Sequence, residues 1–311
     1  MLTRRDFIAG AASAAAISLM PFGAHAQRTR RSSANLIKRA IPSTGEQIPV
    51  MGMGSSGTFG VFEAGAAPPD MAALREVFKL FVESGCTVVD TAPFYGDAES
   101  ILGTLIEDFG VREKLFLATK LALVAGRDAG LAQFQTSLQR LKTDKVELLQ
   151  IHDMRDLDTQ FALARELKQQ GKVKYVGLTH SNSQAQERMA DTMQKLKPDF
   201  VQINYSPVSR GAEQRIFPLA KDLGIAVMLN RTFEDGKLFG QVKGKPLPEW
   251  AKDVDADSWA QLFLKFAISE PAVTAVIPAT SKPKNQADNL KAGFGRLMNA
   301  QQRAALVAAL G

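Results

Sequence analysis

Between residues 146 and 229 the chain reads VELLQI (Val146–Ile151), YVGLT (Tyr175–Thr179), FVQIN (Phe200–Asn204) and IAVML (Ile225–Leu229). These are four short, nearly continuous apolar runs at almost regular spacing. A strand covered on both faces has no solvent side, so its residues need not alternate between apolar and polar. The gaps between the runs are long enough for the helical crossover that parallel neighbours require. The pattern continues outward in both directions. Val50–Gly54, Thr87–Asp90 and Leu115–Lys120 precede the four runs, and Val273–Ile277 follows after a longer gap. Between them lie helical stripes at i, i+3, i+4 spacing. Met71, Leu74, Val77, Phe78 and Phe81 form one, closed by Gly85. Ile101, Leu102, Leu105 and Ile106 form a second, and Leu131, Phe134, Leu138 and Leu141 a third.

Eight strands alternating with helices predict an α/β fold, a (β/α)8 TIM barrel. A doubly wound sheet would carry a glycine-rich phosphate turn that opens a helix after its first strand. Gly52-Met53-Gly54-Ser55-Ser56-Gly57 opens none and matches weakly. Ahead of the barrel, Ile41–Val50 places Ser43-Thr44-Gly45-Glu46 between apolar flanks, which predicts a short N-terminal β-hairpin able to plug the barrel floor. No linker rich in Pro, Gly or Ser follows residue 40, so residues 41–311 read as one barrel domain.

The formal net charge of +6 sits wholly ahead of that domain. Residues 27–40 form a basic arm with Arg28, Arg30, Arg31, Lys38 and Arg39 and no acid, whereas the chain from Ile41 onward sums to zero. The folded body therefore has no cationic excess to offer nucleic acid. Residues 1–26 read as a signal peptide. Arg4-Arg5 precedes an apolar, alanine-rich run shorter than a bilayer span, and Pro21 and Ala24-His25-Ala26 follow as breaker and cleavage site. Thr3-Arg4-Arg5-Asp6-Phe7-Ile8 resembles a twin-arginine (Tat) signal, which implies the Tat export machinery as a partner, a periplasmic location and no stable membrane insertion of the mature chain. The lone Cys86 excludes an intrachain disulfide and any cysteine-rich metal site, and reads as core.

Barrel chemistry gathers at the C-terminal ends of the strands. Read in order, those ends supply Asp90, Lys120 and His152, with Tyr95 in the loop after Asp90. Taken singly, Asp90 reads equally well as a helix N-cap and Lys120 as an interior ion pair. Together the four make a proton donor. A phenol with a pKa near 10 is a poor acid, but an adjacent ammonium stabilises its anion, and an aspartate holds that ammonium. A histidine across the pocket can orient a carbonyl oxygen or share its proton. The set contains no nucleophile beside a base and no metal-ligand cluster. It suits protonation of an oxygen while a hydride attacks the carbon, and a nicotinamide is the natural hydride source.

Val89-Asp90-Thr91-Ala92-Pro93-Phe94-Tyr95-Gly96-Asp97-Ala98-Glu99-Ser100-Ile101-Leu102-Gly103 resembles the signature of the aldo-keto reductases. Leu117–Lys120, Asp144–Asp153 and Ile277–Pro283 resemble the family in the same order. The resemblance implies a monomeric barrel that reduces aldehydes or ketones with NAD(P)H. It makes Tyr95 the general acid, tuned by Lys120 and Asp90, with His152 orienting the carbonyl. It puts Gln202 on the nicotinamide carboxamide, Thr280, Ser281 and Lys282 in the cofactor-phosphate loop, and Asn289 on the adenine. Two departures stand out. Thr179-His180 replaces the family's Ser-Asn pair on the carboxamide, where the hydroxyl and the ring can still hydrogen-bond. Ala279 and Asn285 stand where NADP-preferring members carry lysine and arginine, leaving Lys282 and Lys284 as point charges without a guanidinium fork. NADP(H) is the favoured cofactor and NAD(H) the alternative.

Two rival readings keep the same barrel. One is a cofactor-binding sensor or partner module without turnover, and the other an alcohol oxidiser running the chemistry in reverse. The substrate is a small carbonyl compound. Phe94, Phe233 and Phe239 point to an apolar pocket, and the Gly52–Gly60 stretch to backbone at its mouth. Trp259, Phe263 and Phe266 share helical spacing and read as core.

Overall fold

The computed structural model describes residues 35–60 and 67–310; the expected signal peptide and residues 27–34 of the arm lie outside the described residues. Strands β1 (Lys38–Ala40) and β2 (Gln47–Pro49) form an antiparallel hairpin. The barrel strands are β3 (Met53–Gly54), β4 (Val88–Asp90), β5 (Phe116–Leu121), β6 (Val146–His152), β7 (Val173–Thr179), β8 (Phe200–Asn204), β9 (Ala226–Asn230) and β10 (Val273–Val276). They pair in parallel in the order of the chain. Bridges from Met51 to Val276 and from Gly54 to Ala279 join the first strand to the last and close the cylinder. This closure dictates the glycine at 54, where a Cβ would stand 2.7 Å from the carbonyl oxygen of Ile277.

Helices α1 (Met71–Glu83), α2 (Ala98–Phe109), α3 (Arg127–Arg140), α4 (Leu157–Gln169), α5 (Gln186–Leu196) and α6 (Ile216–Leu223) fill the crossovers between strands. The longer gap before β10 holds α7 (Lys237–Gln241) and α8 (Trp259–Ile268), and α9 (Pro283–Lys291) and α10 (Ala300–Ala308) follow it. Local signals set the helix ends. The Asp70 side chain accepts the first free amides of α1, and Gly85 (φ +81°) and Gly110 (φ +61°) leave α1 and α2 through the left-handed region open to glycine.

Side chains alternate along each strand, which creates two cores. Val89, Leu117, Leu149, Val176, Val201 and Val227 face outward and pack with the helical stripes, including Leu74, Val77, Phe78, Leu102 and Phe134. The inward set changes character with height. At the lower end Val88, Phe116, Leu148, Tyr175 and Phe200 form an apolar plug with Ile41 and Ile48 of the hairpin. One or two inward positions higher the residues are Asp90, Lys120, Gln150, His152, Thr179, Gln202 and Asn230. Parity along the strands thus separates a dry floor from a polar rim.

The hairpin closes the floor, as its sequence predicts, but begins earlier. Lys38–Ala40, read from sequence as the end of the basic arm, is β1 itself. The reason is Arg39, whose guanidinium turns under the barrel and donates to the carbonyls of Ile268, Glu270 and Val273. Ile268 is the last residue of α8, so its carbonyl has no partner within the helix, and this cation supplies one. Tyr175 completes the attachment by donating to Glu46 Oε2 at 2.6 Å. Arg39→Ala removes three charge-assisted bonds and is expected to cost about 2 kcal/mol. Urea unfolding should show a lower midpoint with an unchanged slope.

Candidate active site

Lys120 and Asp90 stand on adjacent strands and are almost fully buried. The lysine Nζ lies 2.6 Å from Asp90 Oδ2 and donates to the Thr91 carbonyl at 2.8 Å. Asp90 Oδ1 accepts from the amides of Gln150 at 2.9 Å and Gln202 at 2.8 Å. Two charges removed from water need such complete partnering, since the desolvation cost otherwise exceeds their attraction. Burial penalises the ammonium, but Asp90 and Tyr95 hold its pKa above the ordinary lysine value. It therefore stays charged.

The loop after β4 brings Tyr95 to this cation. Lys120 and Ser56 both act on its hydroxyl in favour of the phenolate, and the lysine Nζ stands 5.1 Å from the ring centre. Burial pushes the phenol above its usual pKa, and the Lys120 charge opposes the shift without reversing it. The net direction differs from the depressed phenol that the residue set alone suggests, because a charge in the pocket competes with loss of water. The phenol is consequently protonated at neutral pH.

The loop itself is clamped from outside the barrel. Thr119, which neighbours Lys120 and faces the other way, donates to the buried Glu99 at 2.7 Å. Arg140 on α3 lies 3.6 Å from Glu99 and donates to the Pro93 carbonyl at 3.3 Å. Positions on both sides of Tyr95 are thereby tied to the strand carrying Lys120. A Cβ on Gly60 would stand 2.1 Å from the Tyr95 carbonyl oxygen, so only glycine fits beneath the loop.

His152 ends β6, with Phe94 packed between its ring (4.7 Å between centres) and that of Tyr95 (4.6 Å). Burial drives its pKa below the ordinary value; Asp153 and Asp90 oppose this, while Lys120 and His180 reinforce it. Its Nδ1 is buried 3.2 Å from Asp153 Oδ2.

These groups open into a cavity of ≈ 1130 Å³. Asp90, Tyr95, His152, Thr179 and Gln202 line its inner part, and Thr280 and Asn289 its outer part. Phe94, Phe233 and Phe239 line it as the sequence predicts, and residues 54–58 form one lip. Ser281 and Lys282 instead line a smaller neighbouring hollow of ≈ 380 Å³ that shares Gly57 and Thr58 with the main cavity. Trp259 packs against the core, as read from sequence, and also lines the cavity, while Phe263 and Phe266 are fully buried. His180 does not line the cavity: Nδ1 accepts the Asn182 amide at 3.0 Å, and Nε2 faces Asp153 Oδ1 at 3.8 Å.

The sequence reading passed over Gln150, Asn230, Arg231 and Asp288. Strand parity exposes the first two, since Gln150 lies two residues before His152 and Asn230 two after Met228. Arg231 lines the cavity, paired to Asp235 and donating to the Ser181 carbonyl at 3.2 Å. Asp288, also lining it, is held by Ser258 and Gln261 at 2.6 Å each. Cys86 is buried as expected, its thiol pushed up to about 11 by burial. Among the described residues no group of three His, Cys, Asp or Glu side chains could hold a metal, and no helix is long and apolar enough to cross a membrane.

Residues 51–309 match the sequence profile described as the Aldo/keto reductase family. The chain belongs to that family. Similar proteins include aldo-keto reductase YhdN of Bacillus subtilis, 29% identical over 218 residues (65% of this chain, 64% of that protein). Aldo-keto reductase str7 of Strobilurus tenacellus is 30% identical over 205 residues (61% and 57%). The chain spans less than two thirds of the length of either curated relative. Among solved structures, an aldo/keto reductase from Brucella melitensis superposes with a TM-score of 0.68 at 26% identity, covering 88% of this chain and all of that one. An aldo/keto reductase from Klebsiella pneumoniae, solved with NADP and acetate, shares the fold with a TM-score of 0.70 at 24% identity, covering 86% and 93%.

In this member of the aldo/keto reductase family, Lys120→Met leaves Asp90 buried without its cation and should cost about 3–5 kcal/mol of stability. Combining it with Asp90→Asn should cost much less than the sum of the two changes. A double-mutant cycle in urea checks this, and additive losses would contradict the pairing.

Proposed function

We propose that this chain reduces a small aldehyde or ketone to the alcohol with NADPH, and that Tyr95 is the general acid. The observation that carries the reading is the protonated, buried phenol of Tyr95 beside the charged Lys120, whose Nζ stands 5.1 Å from the ring centre, at the inner end of a large cavity.

The donor set suits a nicotinamide dinucleotide. The cavity exceeds the roughly 300–1,000 Å³ typical of drug-sized ligands. Asn230 Oδ1 is a buried acceptor with no hydrogen-bond partner among the described residues, at the rim where a carboxamide amine would find it. Thr179, Gln202 and Asn230 would hold the carboxamide. Thr280 and Asn289 would hold the adenosine end, with Ser281 and Lys282 beside them for phosphate. NADPH is preferred to NADH in this reading on two supports, the Lys282 charge and the NADP bound to the Klebsiella relative. When bound, the cofactor supplies a hydride to the carbonyl carbon.

The chain's own part is the oxygen. Burial keeps the Tyr95 proton in place until negative charge builds on the substrate oxygen. The adjacent ammonium then stabilises the phenolate left behind, in a pocket where such an interaction is strong. Asp90 keeps Lys120 aimed, and His152 addresses the same oxygen from across the cavity. Phe94, packed between Tyr95 and His152, keeps water from the reacting atoms. Tyr95→Phe should lower turnover by about 10³-fold or more while leaving NADPH affinity within about twofold. NADPH consumption and fluorescence titration measure the two; near-normal turnover would refute the mechanism.

The same proposal includes export to the periplasm through the Tat machinery, supported by Thr3–Ile8 and the Ala24-His25-Ala26 site. Intact mass spectrometry of protein released from the periplasm, without added cofactor, should find a chain starting at Gln27 and a retained dinucleotide carrying the extra phosphate. A cytoplasmic, full-length chain would reject export.

A further inference from the structure

His180 occupies the position where the family resemblance expects a carboxamide ligand, yet its ring lies outside the cavity lining. Its surroundings point elsewhere. The backbone ladder continues past the strand ends, with the Asp153 amide donating to Thr179 O at 2.9 Å and the His180 amide to Gln202 O at 3.0 Å. This sets Asp153 and His180 side by side above β6 and β7. Asp153 takes a left-handed backbone (φ +54°), which swings its carboxylate between the two imidazoles. Oδ2 stands 3.2 Å from His152 Nδ1, and Oδ1 stands 3.8 Å from His180 Nε2.

The protons follow from the partners. His180 Nδ1 accepts the Asn182 amide, so a neutral His180 carries its hydrogen on Nε2, toward Asp153. The other carboxylate oxygen lies 3.2 Å from the buried Nδ1 of His152, which makes no hydrogen bond in this geometry, and its negative charge favours a hydrogen on Nδ1 over a lone pair there. His152 then meets the cavity through Nε2. Resting on the reading of His152 as the group that faces the substrate oxygen, we propose that His180 is a positioning residue that acts on His152 through Asp153, and not a cofactor ligand. Asp153 is the shared hinge of the pair.

The chemical consequence concerns donation. With its hydrogen on Nδ1 beside Asp153, His152 can donate from Nε2 only as the imidazolium. The charged groups acting on it are Asp153 on its own loop, Lys120 on β5, Asp90 on β4 and His180 beyond β7. Burial places its pKa below the ordinary histidine value, so the donating form is present in acid and is lost as pH rises through that lowered value. Asp153 favours the imidazolium, and a charged His180 opposes it.

NMR of the protein labelled with ¹⁵N-histidine tests this without turnover, since the chain has only three histidines. The expected tautomers are Nδ1–H for His152 and Nε2–H for His180. Asp153→Asn tolerates the left-handed backbone, because asparagine adopts it as readily as aspartate. It should lower the His152 titration midpoint by about half a pH unit or more. His180→Asn, which installs the residue type the family resemblance expects, should raise that midpoint and leave the NADPH dissociation constant within about twofold. A His152 hydrogen on Nε2, an unmoved midpoint in either variant, or a tenfold loss of NADPH affinity in His180→Asn would overturn the proposal. A Tyr95→Phe protein that still turned over would sink the proposed reaction while leaving these tautomers and midpoints untouched.

Discussion

A buried ammonium and a buried carboxylate, 2.6 Å apart, set the terms for the upper half of this barrel. Neither charge is tolerable alone so far from water. The pair requires β4 and β5 in one register, with Ala118 opposite Asp90 so that Lys120 reaches down and across. It also requires donors for the second oxygen of Asp90, and Gln150 and Gln202 supply them from β6 and β8. Four of the eight strands thus converge on a single carboxylate. Tyr95 is the one member delivered by a loop, and the only one whose position needs an external clamp.

That clamp illustrates how a strand serves two masters. Lys120 and Thr119 are consecutive, so they project to opposite faces. One manages charge inside the barrel, while the other anchors Glu99 at the head of α2 outside it. The phenol and the ammonium are held by two sides of the same peptide segment, and motion of one relative to the other must break contacts on both. Arg140 adds the third helix to this arrangement through Glu99 and Pro93.

Much of this was legible in the residues because periodicity reports faces. Apolar runs marked the eight strands, and the strand ends named Asp90, Lys120 and His152. Parity would have added Gln150 and Asn230 had it been carried from the apolar to the polar positions. The remainder was hidden because it depends on distance rather than pattern. Arg39 looks like one of five cations in an arm until the end of α8 is seen to lie within its reach. His180 looks like a substitute ligand in the sequence, whereas in the structure its Nδ1 accepts the Asn182 amide and its Nε2 faces Asp153. Trp259 shares its helical spacing with two core phenylalanines, yet it alone of the three also lines the cavity. The sign of the Tyr95 shift was likewise beyond composition, because it is a contest between dehydration and an adjacent charge.

The hairpin under the barrel has a consequence for traffic. With Ile41 and Ile48 packed against the inward residues of its lower end, the described barrel is stoppered there. The cavity opens at the opposite end, above Asp90, Tyr95 and Gln202. On the proposed reading, cofactor and substrate would both come in over that rim and would have to make room for each other. Such crowding would trace back to the stopper, although the stopper lies at the far end of the barrel.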